Sequence, residues 1–547
     1  MRKDVQQGTV TGEVFTRPEV AAYMLDEVRY CGKFDSFVGL KVLEPSCGDG
    51  AFVFPLVDIW LSQNPDFNSP LAESFLRACD ISRNNIEKLR VVLRMKLINA
   101  GCSIARADTL LSFWLIFGDF LLHEFHEKFD IVIGNPPYIR FDDIPAVNQR
   151  MYRTMFASFA ERCDIYVPFF EKSLSLLSCK GVFSFICTNR FTKSSYGKQL
   201  RSLIADKYHV ALYLNMEHSQ PFVEEVSAYP AIYIIDRDMK GVTYSTTISD
   251  ASTATLDQVR MNAARSRLNV FKRWYKGDSP WISTDCRERE AEERIVETFP
   301  TITESASGTE IGIGVASGAD DIYINAQRKA RIESSCLLPL VASEDIRNGR
   351  ILWDERYLLN PYDDDDDRKM RDLKRYPHAA AYFDLHAQKL KARYCARKHP
   401  HEWYRTLDRV KYGLLKTPKI LIPDIQLGGN VALDEYGSYY PHHNVYWITS
   451  AQWNLKALCV LLRSTFVTTQ IRHVSVQMRG GSIRYQAQNL RNVHVPAWSS
   501  LKASDVEKLV CVYESNDIGQ LDAVVDAVVS DSISRQPPRC YQADLFG

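Results

Sequence analysis

The sequence predicts an α/β fold: a mostly parallel sheet covered by helices on both faces, followed by a mixed α/β, β-rich second domain. Two observations carry this reading. From about residue 36 to 240, short apolar runs alternate with amphipathic helical ones. Beyond about residue 301 that alternation gives way to short strand-like runs broken by Gly, Asn and Asp. With 547 residues, the chain has room for two to four domains with real cores.

In the first region, LKVLEPS (40–46) reads as a strand and AFVFPLVDIWLSQ (51–63) as the helix after it. FLRACD (75–80) is a second strand, and Ser82 caps a helix reaching about Ile98. The run TLLSFWLIFGDFLL (109–122) is the most apolar segment, but it is too short to span a bilayer and carries Asp119, so it is expected in the core. FDIVIG (129–134) is a strand, and residues 167–187 read as a helix, a stop at Lys180-Gly181 and a strand. A helix over 195–208 leads to the strand HVALYLN (209–215), and SAYPAIYIID (227–236) is the last strand of the series. The expected division is a first α/β domain over 1–240, a polar connector over 241–300, a second domain over 301–500 and a helical tail over 501–547.

The 67 basic and 67 acidic residues cancel, which neither requires nor excludes a polyanionic partner, because a basic surface can sit within a neutral total. The thirteen cysteines include no CxxC pair and no Cys/His cluster at zinc spacing. Reduced thiols and no metal site are expected. The amino terminus has no apolar leader, and a cytosolic location without membrane contact is the expectation.

In parallel sheets of this kind, ligands bind outside the carboxyl ends of the strands. Two such ends carry unusual residues. LEPSCGDGAF (43–52) ends a strand on Glu44-Pro45 and turns through Gly48 and Gly50 into a helix, which suits close approach of a ligand to the backbone. Asp80, ending the next strand, is suited to ribose hydroxyls. The turn lacks the GKS/T of nucleoside triphosphatases and carries acidic residues, so a nucleoside without phosphates, S-adenosylmethionine, fits it better. The other end is DIVIGNPPYIRF (130–141), where a core strand runs into Asn135, two stiff prolines, Pro136 and Pro137, and Tyr138.

These motifs resemble, in content and order, the gamma-class (TaqI-like) N6-adenine DNA methyltransferases. The family's order appears here as FTRPEV (15–20), EPSCGDG (44–50), CDIS (79–82), GDFLL (118–122) and NPPY (135–138), and the likeness covers roughly residues 11–240. A looser likeness to the family's target-recognition domains covers 308–496. The resemblance implies a Rossmann-like, S-adenosylmethionine-dependent methyltransferase domain. Within it, Thr16 would meet the cofactor's carboxylate, Glu44 its amino group and Asp80 its ribose, with Pro45 and Gly48 in the same turn. Asp119 would hold the cofactor adenine; the stretch from Asp80 to Asp119 is long, and Asp108 competes for that role. Asn135 and the Pro136 carbonyl would accept the two hydrogens of an exocyclic amine, and Tyr138 and Phe222 would stack an everted base.

The resemblance also implies double-stranded DNA as partner and a companion restriction endonuclease acting separately; a monomer is compatible with it. Methylation of cytosine N4, RNA adenine or protein glutamine, or service as a DNA-binding subunit of a larger complex, stays open on the residues. C5-cytosine chemistry is disfavoured, since no Pro-Cys dipeptide occurs. Between Arg368 and Lys419 fifteen Lys/Arg face four Asp/Glu among several aromatics, compatible equally with a phosphate-binding surface and a solvated helical face. Arg479, Arg484 and Arg491, around GGSIRYQ, are further candidates for DNA contact. The acidic run Asp363 to Asp367 reads as a solvated loop.

Overall fold

The computed structural model describes residues 12–224, 229–239, 241–259, 269–271, 275–281, 286–364, 366, 368–475 and 481–535. The chain divides into two compact units, Met1–Arg289 and Glu290–Gly547.

In the first unit the strands are β1 (Val42–Glu44), β2 (Leu76–Asp80), β3 (Leu115–Phe117), β4 (Phe129–Gly134), β5 (Leu177–Thr188), β6 (His209–Asn215), β7 (Pro230–Asp236), β8 (Thr243–Thr247) and β9 (Asn269–Phe271). They form one sheet in the order β3-β2-β1-β4-β5-β7-β6-β8-β9. Strands β1 to β5 run parallel, and β7 is antiparallel to both β5 and β6. Strand order reverses between β1 and β4, so the crevice for a ligand lies where Glu44 and Gly134 end their strands.

Why these runs become buried strands follows from side-chain alternation. Val42, Ile131 and Ile133 point into one apolar core, whereas Leu43, Phe129 and Val132 point into the other. The helices are α1 (Pro18–Gly32), α2 (Val53–Ser62), α3 (Pro70–Ser74), α4 (Arg83–Asn99), α5 (Ile104–Trp114), α6 (Ala146–Met155), α7 (Tyr166–Ser175) and α8 (Lys198–Lys207). Residues of α1, α2, α4 and α5 fill the first core, and residues of α7 and α8 the second. The Ser82 and Ser103 hydroxyls accept from the amides of Asn85 and Arg106, capping α4 and α5. Pro18 opens α1, where its missing amide costs nothing.

Several expectations change. The apolar run 109–122 is split into the end of α5, edge strand β3 and the loop bearing Asp119. The expected connector is not separate, because β8 and β9 extend the sheet and residues up to Arg289 belong to the first unit. Lys180-Gly181 is no helix stop: β5 already begins at Leu177, and a Cβ on Gly181 would sit 2.8 Å from the Phe129 carbonyl oxygen.

In the second unit, Glu310–Ile313, Val445–Thr449, Lys419–Pro423 and Ala432–Asp434 form an antiparallel four-stranded sheet. The last two helices, Ala503–Ser515 and Ile518–Arg535, are not a detached tail. Leu509, Leu521, Val525 and Val528 share a core with Ile420, Ile448 and Leu458. A short helix, Ala487–Arg491, is followed by a single bridge from His494 to Thr301. Asp364 of the acidic run pairs with the buried guanidinium of Arg371 instead of standing in solvent. Among the described residues, no helix is long and apolar enough to cross a membrane.

The second unit also buries an ion pair: Lys419 Nζ lies 2.7 Å from Asp434 Oδ2, with the side chains 0% and 2% exposed. Removing one partner strands a charge in the core. Asp434→Ala should therefore lower stability by about 3–5 kcal/mol in a urea titration, and Lys419→Met/Asp434→Leu together should recover part of that loss.

Candidate active site

A cavity at the carboxyl ends of β1, β2 and β4 is lined by Gly12 to Thr16, Glu44 to Asp49, Asp80, Gly118 to Phe120 and Asn135 to Pro137, with Tyr152 and Phe169 at one side. Its floor is made by the turn after β1. The Cys47 amide donates to the Cys79 carbonyl at 2.8 Å, and the Gly48 amide to Asp80 Oδ2 at 2.8 Å. Gly48 and Gly50 hold φ of 50° and 90°, a region that favours glycine, which is why the strand can turn so sharply into α2.

Asp80 is 8% exposed; besides Gly48 it accepts from the Ser82 amide at 2.6 Å. Burial pushes its pKa up while these amides pull it down. Glu44 is 1% exposed, and its Oε2 is buried without a hydrogen-bond partner among the described residues. Burial, then the nearby charges of Asp49 and Asp80, raise the Glu44 pKa well above the ordinary carboxylate value. An unsatisfied buried carboxylate oxygen is costly in isolation and is suited to a cationic ligand.

Asn135 follows β4. Its amide nitrogen donates to the Val14 carbonyl at 2.8 Å and to Thr16 Oγ1 at 3.1 Å. A carbonyl can only accept, so the amide's orientation is fixed: nitrogen toward Val14 and oxygen away. That oxygen, Oδ1, is buried with no partner among the described residues. Nor does any described donor meet the Pro136 carbonyl. Ser46 Oγ donates to the Asn135 carbonyl at 2.9 Å, and the Tyr138 amide donates to the Gly12 carbonyl at 3.1 Å, fixing both ends of the NPPY turn.

The segment carrying Thr16 is held across the chain by a short antiparallel pairing. Thr16 bridges Phe222, the Arg17 amide donates to the Pro221 carbonyl at 3.0 Å, and the Val223 amide to the Phe15 carbonyl at 2.9 Å. This brings Phe222 against Tyr138, ring centroids 5.9 Å apart and planes at 76°. The sequence expected two rings flanking a base. Instead Phe222 is 3% exposed and packs edge-on, a geometry that sets the tilt of Tyr138 rather than opening a second stacking face. The Tyr138 hydroxyl is buried, which raises its pKa.

Asp119 and Asp108 lie in different surroundings. Asp119 lines the cavity, and its Oδ2 accepts from the Tyr152 hydroxyl at 2.5 Å. Asp108 lies on the outer side of α5, 52% exposed and paired with Arg94. Lys172, from α7, ties down the loop of Asp119 by donating to the carbonyls of Phe120, Leu121 and His123, and burial pushes its pKa down to about 8. Sequence reasoning missed Tyr152, Lys172 and Asn148, whose amide donates to the Tyr152 hydroxyl at 3.1 Å. They lie on α6 and α7, and no motif marks them.

The arginine candidates of the second unit fare differently. Arg484 pairs with Asp424, and Arg491 donates to the Ile311 carbonyl at 2.8 Å, so both have structural partners. Arg479 lies outside the described residues. Within the basic stretch, Arg371 and Lys419 are buried, whereas Lys374, Arg375, Arg397, Lys398, Arg409 and Lys411 are exposed.

Comparison with known proteins identifies the family. Residues 74–222 match the family described as Eco57I restriction-modification methylase. The chain is 36% identical over 506 residues to the type II methyltransferase M.XhoI of Xanthomonas vasicola, covering 90% of this chain and 92% of that one. It is 34% identical over 536 residues to M.BstVI of Geobacillus stearothermophilus, covering 94% and 95%. Among solved structures, the type IIL restriction–modification enzyme MmeI in complex with DNA is similar in fold, with a TM-score of 0.61 at 12% identity over 94% of this chain and 72% of that chain. Identity above 30% across nine-tenths of both chains, joined to a cavity at the topological switch point, places this chain among the type II DNA methyltransferases of restriction–modification systems, in the gamma arrangement.

Proposed function

We propose that this protein transfers a methyl group from S-adenosylmethionine to the N6 amine of an adenine everted from duplex DNA, at a specific sequence that a companion endonuclease cuts when unmodified. The observation that carries this reading is the unpartnered pair of acceptors, Asn135 Oδ1 and the Pro136 carbonyl. An adenine amine is a weak nucleophile because its lone pair is delocalised into the ring. Two fixed acceptors, one for each amine hydrogen, favour a pyramidal nitrogen with its lone pair free. Tyr138 offers a ring face to the base, and Phe222 holds that ring at its tilt.

The cavity fits the cofactor. S-adenosylmethionine would supply the electrophilic sulfonium methyl. Glu44 Oε2 is an acceptor for an ammonium group, and Asp80, braced by the Gly48 and Ser82 amides, keeps lone pairs for ribose hydroxyls. Thr16 accepts from Asn135 and still has a hydroxyl proton to donate to a carboxylate. The Tyr152 hydroxyl and the Leu121 amide each donate to one oxygen of Asp119, fixing the carboxylate whose remaining lone pairs would take the cofactor adenine's amine.

Incubation with radiolabelled S-adenosylmethionine and duplex DNA, RNA or protein, followed by digestion, tests the reading. N6-methyladenine in DNA is expected; N4-methylcytosine, or label in RNA or protein alone, overturns it. Asn135→Ala should lower kcat by about 10²–10³-fold while DNA affinity in a gel-shift titration stays within twofold. Asp119→Ala should raise the cofactor's KM by about 10–100-fold, the worth of a charge-assisted hydrogen bond, and Asp108→Ala should leave it unchanged.

Glu44 gives a pH signature. Its pKa is raised in the free protein, and an ammonium group beside it would lower that value again. Binding should therefore release a proton between the two values, so cofactor affinity rises with pH across that window. Calorimetry in buffers of different ionisation enthalpy should detect the release, and Glu44→Gln should abolish it.

A further inference from the structure

Two loops of the second unit meet in a cluster that methyl transfer does not use. One is Ser317-Gly318-Ala319-Asp320, after strand Glu310–Ile313; the other is Pro441-His442-His443-Asn444, before strand Val445–Thr449. Val315 and His442 form a parallel bridge, with the Val315 amide donating to the Pro441 carbonyl at 3.0 Å. A Cβ on Gly314 would lie 2.2 Å from the His442 carbonyl oxygen, so glycine permits this approach.

The tautomer of neutral His442 can be read from its neighbours. The Ser343 amide donates to Asn444 Oδ1 at 3.3 Å, which identifies that atom as the acceptor oxygen. His442 Nδ1 lies 3.0 Å from the same oxygen and must be the donor there. Its lone pair is therefore on Nε2, which lies 2.9 Å from His443 Nδ1 and 3.3 Å from Asp320 Oδ2. One ligand atom from each of the three residues falls within a 4.8 Å group. The Ser317 hydroxyl donates to the other carboxylate oxygen of Asp320, turning Oδ2 toward the imidazoles. With His442 neutral, its Nε2 lone pair and the Asp320 carboxylate oxygen stand 3.3 Å apart, an arrangement that a shared cation would stabilise.

We propose that Asp320, His442 and His443 bind a divalent transition-metal ion of the zinc class. Tetrahedral coordination at about 2.0–2.2 Å sets ligand atoms roughly 3.3 Å apart, close to the spacing of the His442 and Asp320 atoms. Two imidazoles and one carboxylate suit zinc, nickel or cobalt better than magnesium or calcium. Asn444 then plays the outer role of fixing the ring nitrogen opposite the metal. His443 and Asp320 are exposed, so an ion reaches the site from solvent, and a fourth position is left for water. The ion would clamp the two loops together. This departs from the sequence expectation, because no spacing rule joins residues 320 and 442.

The full chain, stripped with chelator and dialysed, is titrated with zinc by calorimetry and with cobalt by visible absorption. One ion per chain and the intense bands of low-coordinate cobalt are expected. His443→Ala and Asp320→Asn, both at exposed positions, should each weaken binding by more than about 100-fold with circular dichroism unchanged. Absence of cobalt bands, or binding that survives both substitutions, overturns the proposal.

Discussion

The amide of Asn135 is anchored through its nitrogen, and much of the site follows from that anchorage. Val14 and Thr16 together occupy the nitrogen, so the oxygen has no freedom to turn toward the protein. An isolated buried acceptor costs about 1–3 kcal/mol, and the fold carries that cost in advance of the substrate. The two prolines that follow restrict the backbone and keep the Pro136 carbonyl beside the side-chain oxygen. The Thr16–Phe222 bridge then links this anchorage to Tyr138, because the strand that presents Thr16 also presses Phe222 against that ring. One short pairing of segments some 200 residues apart thus positions both the polar and the aromatic halves of the site.

Electrostatics complements this geometry. Glu44, Asp49 and Asp80 are gathered around one turn, and their mutual repulsion is added to the cost of burial. Such an arrangement is poorly suited to an anion and well suited to a ligand bearing an ammonium and a sulfonium. Asp119 is set apart from this group by Tyr152 and by the Lys172 contacts that fix its loop. The acidic residues therefore line different parts of one cavity rather than gathering at one point.

Much of the catalytic half was legible in the sequence because its motifs sit at strand ends, where local pattern and function coincide. FDIVIG and HVALYLN form strands over the residues that the apolar runs mark. The polar stretch 241–289 was not legible, since β8 and β9 are short edge additions whose pairing is decided by the sheet, not by their composition. The short run from GDFLL to NPPY favours Asp119 over Asp108 in the sequence, and the packing of α5 turns Asp108 outward to Arg94. In the second unit, charge-rich sequence conceals partners. Arg371, Arg484 and Arg491 are consumed by carboxylates, carbonyls or both, while the exposed cations of 374–411 stand elsewhere in the same stretch. The His442–Asp320 juxtaposition was invisible for the same reason, being made by a bridge between loops over 100 residues apart.

The most direct test is a crystal structure of the protein with target duplex and a non-reactive S-adenosylmethionine analogue. The expected result is an everted adenine over Tyr138, its N6 about 3 Å from both Asn135 Oδ1 and the Pro136 carbonyl. An adenine still stacked in the duplex, or an Asn135 oxygen turned onto a protein donor with N6 beyond hydrogen-bond reach, would contradict it.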